Sequence, residues 1–473
     1  MGLLEVALTM SLSHLADMAK PKIVPPFHER FRPASLANRA FLKAARESCR
    51  AVPLVIAIER GGGQISVYRT ECFDDDPLNL PYVERLVKFL LWARGGWRVV
   101  IGGPASVGEH IKKAYSPSGE RAFDVELVGG IYERPFAVEA TDAERVPEPN
   151  ESTMPMGGHL DGCRIGFDLG ASDRKVSAVI DGEAVYTEEV NWDPRNATDP
   201  DYHFNEINAA LKSAAAHLPR VDAIGGSAAG VYINNRPRAA SLFRGVPKDL
   251  FDSQIAPLFE RLKDAWGGVP FVVVNDGEVT ALEGAMTLND TAVLGMALGS
   301  SEAGGYVTPR GEITTWLNEL AFCPVDYDPD APIDEWSGDR GCGVQYFSQQ
   351  AVFRLATVAG TEIDESLGLA EKLKSVQGKL ESGDERAAKI WETIGVYTGY
   401  GIAHYAGFYD LKHVLILGRV TSGSGGGIIL ETAGKVLETE FPELAQKIDL
   451  HLPDESSRRV GQAVAAASLP ATQ

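Results

Sequence analysis

Short apolar runs alternate with glycine-rich turns along most of this chain, the pattern of strands that feed turns and helices. Leu54-Val-Ile-Ala-Ile58, the turn Gly61-Gly62-Gly63 and Gln64-Ile-Ser-Val-Tyr68 predict a hairpin. Tyr82 to Arg94 predicts an amphipathic helix, and Trp97-Arg-Val-Val-Ile-Gly-Gly103 a strand ending in a glycine turn before another helix. Ahead of these, residues 11–50 predict a helical or loosely ordered lead-in broken by Pro21, Pro25, Pro26 and Pro33. Behind them, the polar, proline-interrupted stretch Asp142 to Glu151 predicts a linker. Further on, Arg164 to Ile180 and Ala292 to Val307 each predict a strand, a glycine turn and a second strand. Pro270-Phe-Val-Val-Val274 predicts a strand running into a helix over Gly277 to Gly284, and His413 to Gly418 a strand before a Gly/Ser turn and a helix over Ile428 to Glu438.

Asn275-Asp276 sits where the third of these strands meets its helix. A strand that ends in a carboxylate directly before a helix puts that carboxylate at the mouth of a sheet, where open α/β folds bind ligands. Asp276 is therefore a candidate general base. An Asp that only caps its helix leaves the same local trace, so the flanking hairpins decide. In the first, Gly170 lets backbone approach a phosphate, Ser172 adds a hydroxyl, and Asp168 is placed to hold magnesium through water. The second repeats the design with Gly299-Ser300-Ser301 and Gly304-Gly305.

The order and spacing of these segments resemble the sugar kinase, heat-shock chaperone and actin superfamily, and within it the ROK family of sugar kinases and sugar-responsive repressors, over residues 163–460. The resemblance implies an α/β chain with a two-lobed actin-like ATPase (ribonuclease H-like) fold and an additional N-terminal α/β domain. Residues 1–50 would be the lead-in, 51–150 the accessory domain and linker, 151–285 the first lobe and 286–473 the second. GFDLGASDRK is similar to the first phosphate motif, which assigns Asp168, Gly170, Ser172 and Arg174 to the nucleotide and its magnesium. IGGSAAGVYI puts Gly230 at a sugar-side Pro-Gly pair, VNDGEVTALEG puts Asp276 at the catalytic Asp with Asn275 on the sugar, and Asn318-Glu319-Leu-Ala-Phe322 keeps a sugar-binding Glu at Glu319. GSSEAGGYV is similar to the second phosphate turn, with Gly299, Ser300, Ser301 and Gly304, and VLILGRV to the adenosine motif, with Gly418 and Arg419. ATP and Mg2+ are the implied cofactors.

The departures matter as much. Phe322 stands in place of the family's His, and Val344 in place of a later sugar-contacting Glu. The zinc loop keeps Cys342 and no neighbouring ligand set, and a structural zinc needs four, so no structural zinc is expected. The exchange of polar groups for apolar surface predicts a poor response to glucose and a preference for a less polar or differently substituted sugar.

Composition narrows the classes. In 473 residues, 65 acidic and 45 basic side chains give a net charge of -20, which argues against nucleic acid, whose binding rests on Lys and Arg at phosphates. No basic recognition helix precedes the kinase-like part. Five scattered cysteines suit a reducing, cytoplasmic setting, and no run is long enough to span a bilayer. A homo-oligomer is compatible with the sequence. The unit over 51–140 reads as an accessory α/β domain or as a degenerate copy of a kinase half. His404 among Tyr397, Tyr400 and Tyr405 reads as core packing, and Asp326 to Asp330 with Asp334 and Glu335 as a solvated loop. The function expected is an ATP-dependent kinase acting on a sugar hydroxyl; the alternative is a catalytically degraded sugar or nucleotide sensor.

Overall fold

The structure is a computed structural model that describes residues 12–151, 157–171, 173–453 and 461–472. The chain divides into two compact units: a larger one of residues 1–152, 296–304 and 315–452, and a smaller one of 153–295, 305–314 and 453–473.

The larger unit opens with helix α1 (Ala34–Glu47), which buries Phe41 against Tyr82, ring centroids 3.9 Å apart. In residues 12–33, the described part of the lead-in before it, Phe31 is fully buried and packs on Tyr346, Tyr397 and Tyr400. Strands β1 (Ala51–Glu59) and β2 (Ile65–Phe73) form the expected hairpin, with Leu54 opposite Thr70 and Ile58 opposite Ser66. Helix α2 (Asn79–Arg94), strand β3 (Arg98–Gly102), helices α3 (Ala105–Ala114) and α4 (Ala122–Tyr132), and strand β4 (Ala137–Thr141) complete a sheet of order β2-β1-β3-β4. β3 runs antiparallel to β1 and parallel to β4. The stretch expected to be a linker is tied down: Val146 is buried, Asn150 exchanges backbone bonds with Ile65 at 2.9 Å, and Glu151 pairs with Arg60 at 2.6 Å.

The smaller unit is built on strands β5 (Cys163–Leu169), β6 (Asp173–Ile180), β7 (Glu183–Asn191), β8 (Ala223–Ala228) and β11 (Phe271–Asn275), in the order β11-β8-β5-β6-β7. β5, β6 and β7 are antiparallel neighbours, while β8 and β11 add parallel to β5. This is the ribonuclease H-like arrangement. Helices α5 (Pro200–Ala215) and α6 (Leu258–Ala265) cover a core of Phe167, Ile224, Leu211, Phe259 and Phe271. Between β8 and α6 a small hairpin, β9 (Val231–Ile233) and β10 (Arg236–Ala239), leans on β11 through Asn235, which bonds Val273 N at 2.8 Å and Phe271 O at 2.7 Å. Helix α7 (Asp276–Leu288) follows β11 directly.

Strands β12 (Val293–Leu298), β13 (Glu302–Val307), β14 (His413–Leu417) and β15 (Asp449–His451) form a second sheet of the same plan with one strand fewer, order β13-β12-β14-β15. The larger unit adds helices α8 (Gln349–Val358), α9 (Leu369–Glu381), α10 (Glu385–Tyr405) and α11 (Ser424–Glu440). On α10, His404 is buried against Phe89 and Phe408, and burial holds its imidazole down to about 3, as a core histidine requires.

Two expectations are corrected in this unit. The acidic loop is solvated only in part: Asp330 and Glu335 are exposed, whereas Asp326, Asp328 and Asp334 are buried. Asp326 accepts from Arg32 N at 3.0 Å, Asp328 N at 2.9 Å and the Tyr346 hydroxyl at 2.7 Å, and burial pushes its carboxyl up to about 7. Residues 51–140 are not a separate unit either. Arg85 and Lys88 of α2 and Arg121 before α4 converge on Asp339, at 3.0, 3.4 and 2.8 Å, and Lys88 also meets Asp124 at 2.9 Å. A buried charge persists only when paired, so this ring of ions ties the N-terminal sheet to the loop carrying Asp339.

The chain ends back on the smaller unit with α12 (Gly461–Ala467). A Cβ at Gly166 of β5 or Gly225 of β8 would lie 1.7 Å from the carbonyl oxygen of Ala463 or Ala466. Glycine is therefore required where the helix backbone rests on the sheet. The buried Arg164 closes the helix end, donating to Pro470 O at 2.7 Å.

Candidate active site

In the smaller unit, parallel pairing of β5, β8 and β11 brings Asp168, Ser227 and Asn275 to one end of the sheet. Asn275, not Asp276, is the N-cap of α7: its Oδ1 accepts from Gly277 N at 2.7 Å. Its Nδ2 donates to Gly230 O at 2.7 Å, which fixes the turn between β8 and β9. With the cap supplied by its neighbour, Asp276 occupies the first helical position, half-buried, with Oδ1 3.1 Å from Gly277 N. Burial and, next, the charge of Asp168 raise its carboxyl to about 6, against the helix-start N–H groups that favour its ionised form. A carboxylate poised near neutrality at the end of a parallel strand can accept a proton at physiological pH.

Asp168 is buried at the end of β5 and accepts from Ser227 Oγ at 2.7 Å. Burial raises its carboxyl, and Lys175, 3.8 Å away, opposes the shift. Lys175 also reaches Asp173 at 3.5 Å. Arg174, the expected nucleotide contact, turns the other way: it is buried and donates to Glu206 at 3.0 and 3.1 Å. Successive side chains of a strand point to opposite faces, so the cation that accompanies Asp168 is Lys175. Gly170 closes the hairpin, donating to Asp173 O at 2.9 Å and accepting from Trp192 Nε1 at 2.8 Å. Ser172 lies outside the described residues.

The chemistry of Asp168 and Asp276 would suit a magnesium ion brought by a nucleotide. Their charges raise one another's cost, and Mg2+ needs only one or two carboxylates beside phosphates and water. Among the described residues no three His, Cys, Asp or Glu side chains cluster as a resident metal site.

The remaining expected residues belong to the larger unit. Gly299 N donates to Ser301 O at 2.9 Å in the β12–β13 turn, with Ser300 and Ser301 exposed. Gly299 does not have a positive φ, and a Cβ there would meet only Ser301 O at 3.5 Å. Gly304 lies beyond the turn, buried on Asn318 and Leu320. Between them Glu302 points inward: it accepts from Tyr405 at 2.9 Å, and burial raises its carboxyl to about 8. Gly418 has φ 101°, and its backbone passes so close to Leu298 that a Cβ would lie 2.5 Å from Leu298 O. Arg419 is exposed and begins the short turn before α11. Glu319 is half-buried, its N–H bonded to Trp92 O at 3.1 Å. Phe322 is buried and stacks on Trp92 at 4.2 Å, and Val344 packs with Ala321 and Cys342. Both side chains are thus core, where an apolar pocket surface was expected.

Sequence reasoning missed Ser227, Lys175 and the loop at Arg195 and Ser241. Only the alternation phase of β6 could have singled out Lys175. A broad depression of about 820 Å³, lined by Asp161, Arg220, Asp222 and Lys263, lies at the starting ends of β5, β8 and β11, away from both carboxylates.

No protein-family profile matches the chain, and no curated protein does. Solved structures do. A ROK hexokinase from Thermus thermophilus is 19% identical, with a TM-score of 0.50 over 64% of this chain and 97% of that one. A ROK family transcriptional regulator, homologous to the E. coli MLC protein, is 16% identical, with a TM-score of 0.51 over 66% of this chain and 78% of that one. At these identities the likeness is one of fold. The chain has the α/β, two-lobed, actin-like ATPase fold found in ROK-family proteins. Among the described residues no helix is long and apolar enough to cross a membrane.

Proposed function

We propose that this chain is a divergent ROK-family kinase that transfers the γ-phosphoryl group of ATP to a hydroxyl of a sugar or sugar derivative. The observation that carries the reading is Asp276: a strand-end carboxylate raised to about 6, relieved of capping by Asn275 and set near Asp168. In the reaction the sugar hydroxyl oxygen forms a bond to the γ-phosphorus as the bond from that phosphorus to the ADP oxygen breaks. The hydroxyl proton passes to the Asp276 carboxylate. Asn275 positions the Gly230 turn and, with Glu319, is assigned to sugar hydroxyls. The turns at Gly170 and Gly299 are assigned to the phosphates, Lys175 to charge near Asp168, and Gly418 with Arg419 to the adenosine. A magnesium ion held beside Asp168 would neutralise charge on the β- and γ-phosphates. The loss of the family's His and Glu, whose places Phe322 and Val344 take as core residues, supports a second reading: a sensor that binds sugar or nucleotide without turnover. A screen for sugar-dependent ADP formation over hexoses, amino sugars, polyols and sugar acids separates the two. The kinase reading expects at least one acceptor, and binding of a panel sugar and of ATP with no ADP from any member contradicts it.

A further inference from the structure

The loop after β7 and the loop after β10 meet at an arginine pair that the proposed chemistry does not use. Trp192, at the start of the first loop, donates to Gly170 O at 2.8 Å, so this loop starts at the Asp168 hairpin. Three residues on, Arg195 reaches the Ser241 hydroxyl, Nη2 to Oγ 3.5 Å. Ser241 follows Ala240, and Ala240 packs on Gly230, where an added Cβ would lie 2.5 Å from the Ala240 Cβ. Gly230 is the residue whose carbonyl takes the Asn275 amide at 2.7 Å. Arg195 is therefore linked from both sides to the end of the sheet that carries Asp168 and Asp276.

The placement is rigid. His203 is fully buried, and its Nε2 lies 3.0 Å from Pro194 O and 3.3 Å from Leu242 O, which locks the two loops together. The exposed Arg244 lies nearby: its neighbour Gly245 rests on the Arg195 backbone, where an added Cβ would lie 2.8 Å from Arg195 O. Burial, and then this neighbouring charge, lower the Arg195 guanidinium from its ordinary value. Among the described residues neither arginine pairs with a carboxylate, although acidic side chains outnumber basic ones 65 to 45 in this chain. The nearest acid in sequence, Asp193, already takes the Asn196 amide on both oxygens, at 3.1 and 3.0 Å. The Arg195 Nε is buried with no acceptor. Two guanidiniums with free donors on neighbouring backbone match the oxygens of a carboxylate or phosphate, which take forked N–H bonds.

We propose that Arg195 and Arg244 bind an anionic substituent of the acceptor, so that the substrate class is a sugar bearing a carboxylate or phosphate rather than a neutral sugar. This rests on the kinase reading for the identity of the site as a sugar site.

The test compares glucuronate, gluconate and glucose 6-phosphate with glucose, in wild type, Arg195→Gln and Arg195→Lys. Each is followed by calorimetric binding without nucleotide and by kcat/KM for ADP formation at low salt. At least one anionic sugar should exceed glucose tenfold or more; Arg195→Gln should bring that ratio toward one, and Arg195→Lys, which keeps the charge but not the fork, should fall between the two. Rising salt should erode the preference, because the pair is partly solvated. Whether carboxylates or the phosphate win identifies the source of the anion. Binding preference without ADP formation supports the anion site and refutes the kinase. Phosphorylation with no anionic member preferred, or a preference that Arg195→Gln leaves intact, overturns the anion site alone. Absence of any preference in either measurement overturns it as well.

Discussion

Asp276 shows how a single position acquires chemistry from its neighbours. Its carboxyl is raised to about 6 by burial and by Asp168, so the ionised base is present above that pH and is lost as pH falls through it. The kcat/KM for the sugar should therefore drop about tenfold per unit below pH 6, in a profile recorded at saturating ATP. A flat profile down to pH 5 would contradict the assignment. The places of Asp168 and Asp276 were legible in the sequence because an apolar, strand-like run leads into each. Arg174 and Lys175 were not separable there. They are adjacent, both basic, and only the register of β6 sends Arg174 to Glu206 and Lys175 to Asp168. The acidic loop was misjudged for a related reason: the Arg30, Arg32 and Tyr346 groups that satisfy Asp326 and Asp328 are distant in sequence or belong to a different element.

Elements carry constraints of their own. The β12–β13 turn leaves open space at Gly299, where a Cβ meets only Ser301 O at 3.5 Å. Gly299→Val should leave the fold intact and weaken ATP binding by blocking close backbone approach. Unchanged affinity in a titration, with the melting curve of wild type, would place the nucleotide elsewhere. The ion ring around Asp339 makes the opposite demand. Asp339→Ala removes the acceptor that Arg85, Lys88 and Arg121 share and leaves three buried cations to Glu84 and Asp124, and breaking one side of a buried pair costs about 3–5 kcal/mol. Denaturant unfolding should record a loss of that order, and a loss within experimental error would show the ring to be solvated. The hairpins and helices of residues 54–103 were readable from alternation and glycine turns. The alternative of a degenerate kinase half was not resolvable there, because it turns on the direction of β3, antiparallel to β1 where a kinase half pairs those strands parallel.

At the scale of the whole chain, the N-terminal region is part of the larger unit's core. Trp92 stacks on Phe322, Asn318 N and Glu319 N bond Ala93 O and Trp92 O at 3.0 and 3.1 Å, and α2 supplies two of the cations around Asp339. Deleting residues 1–141 should leave a chain that fails to fold. A soluble, cooperatively melting 142–473 fragment would contradict this. The strands of both later sheets were readable as motifs and their order was not, and the return of α12 to the smaller unit left only Gly166 and Gly225 as a trace, two glycines that read as ordinary small residues until a helix backbone is laid across them. Whether Asp276 serves as the base of a phosphoryl transfer is decided by ADP formation with the best acceptor in wild type and Asp276→Asn, with ATP and sugar binding measured in both. As the base, Asp276 requires a fall of roughly 10²–10⁴ in turnover with both ligands still bound. Turnover within a few-fold of wild type would contradict it.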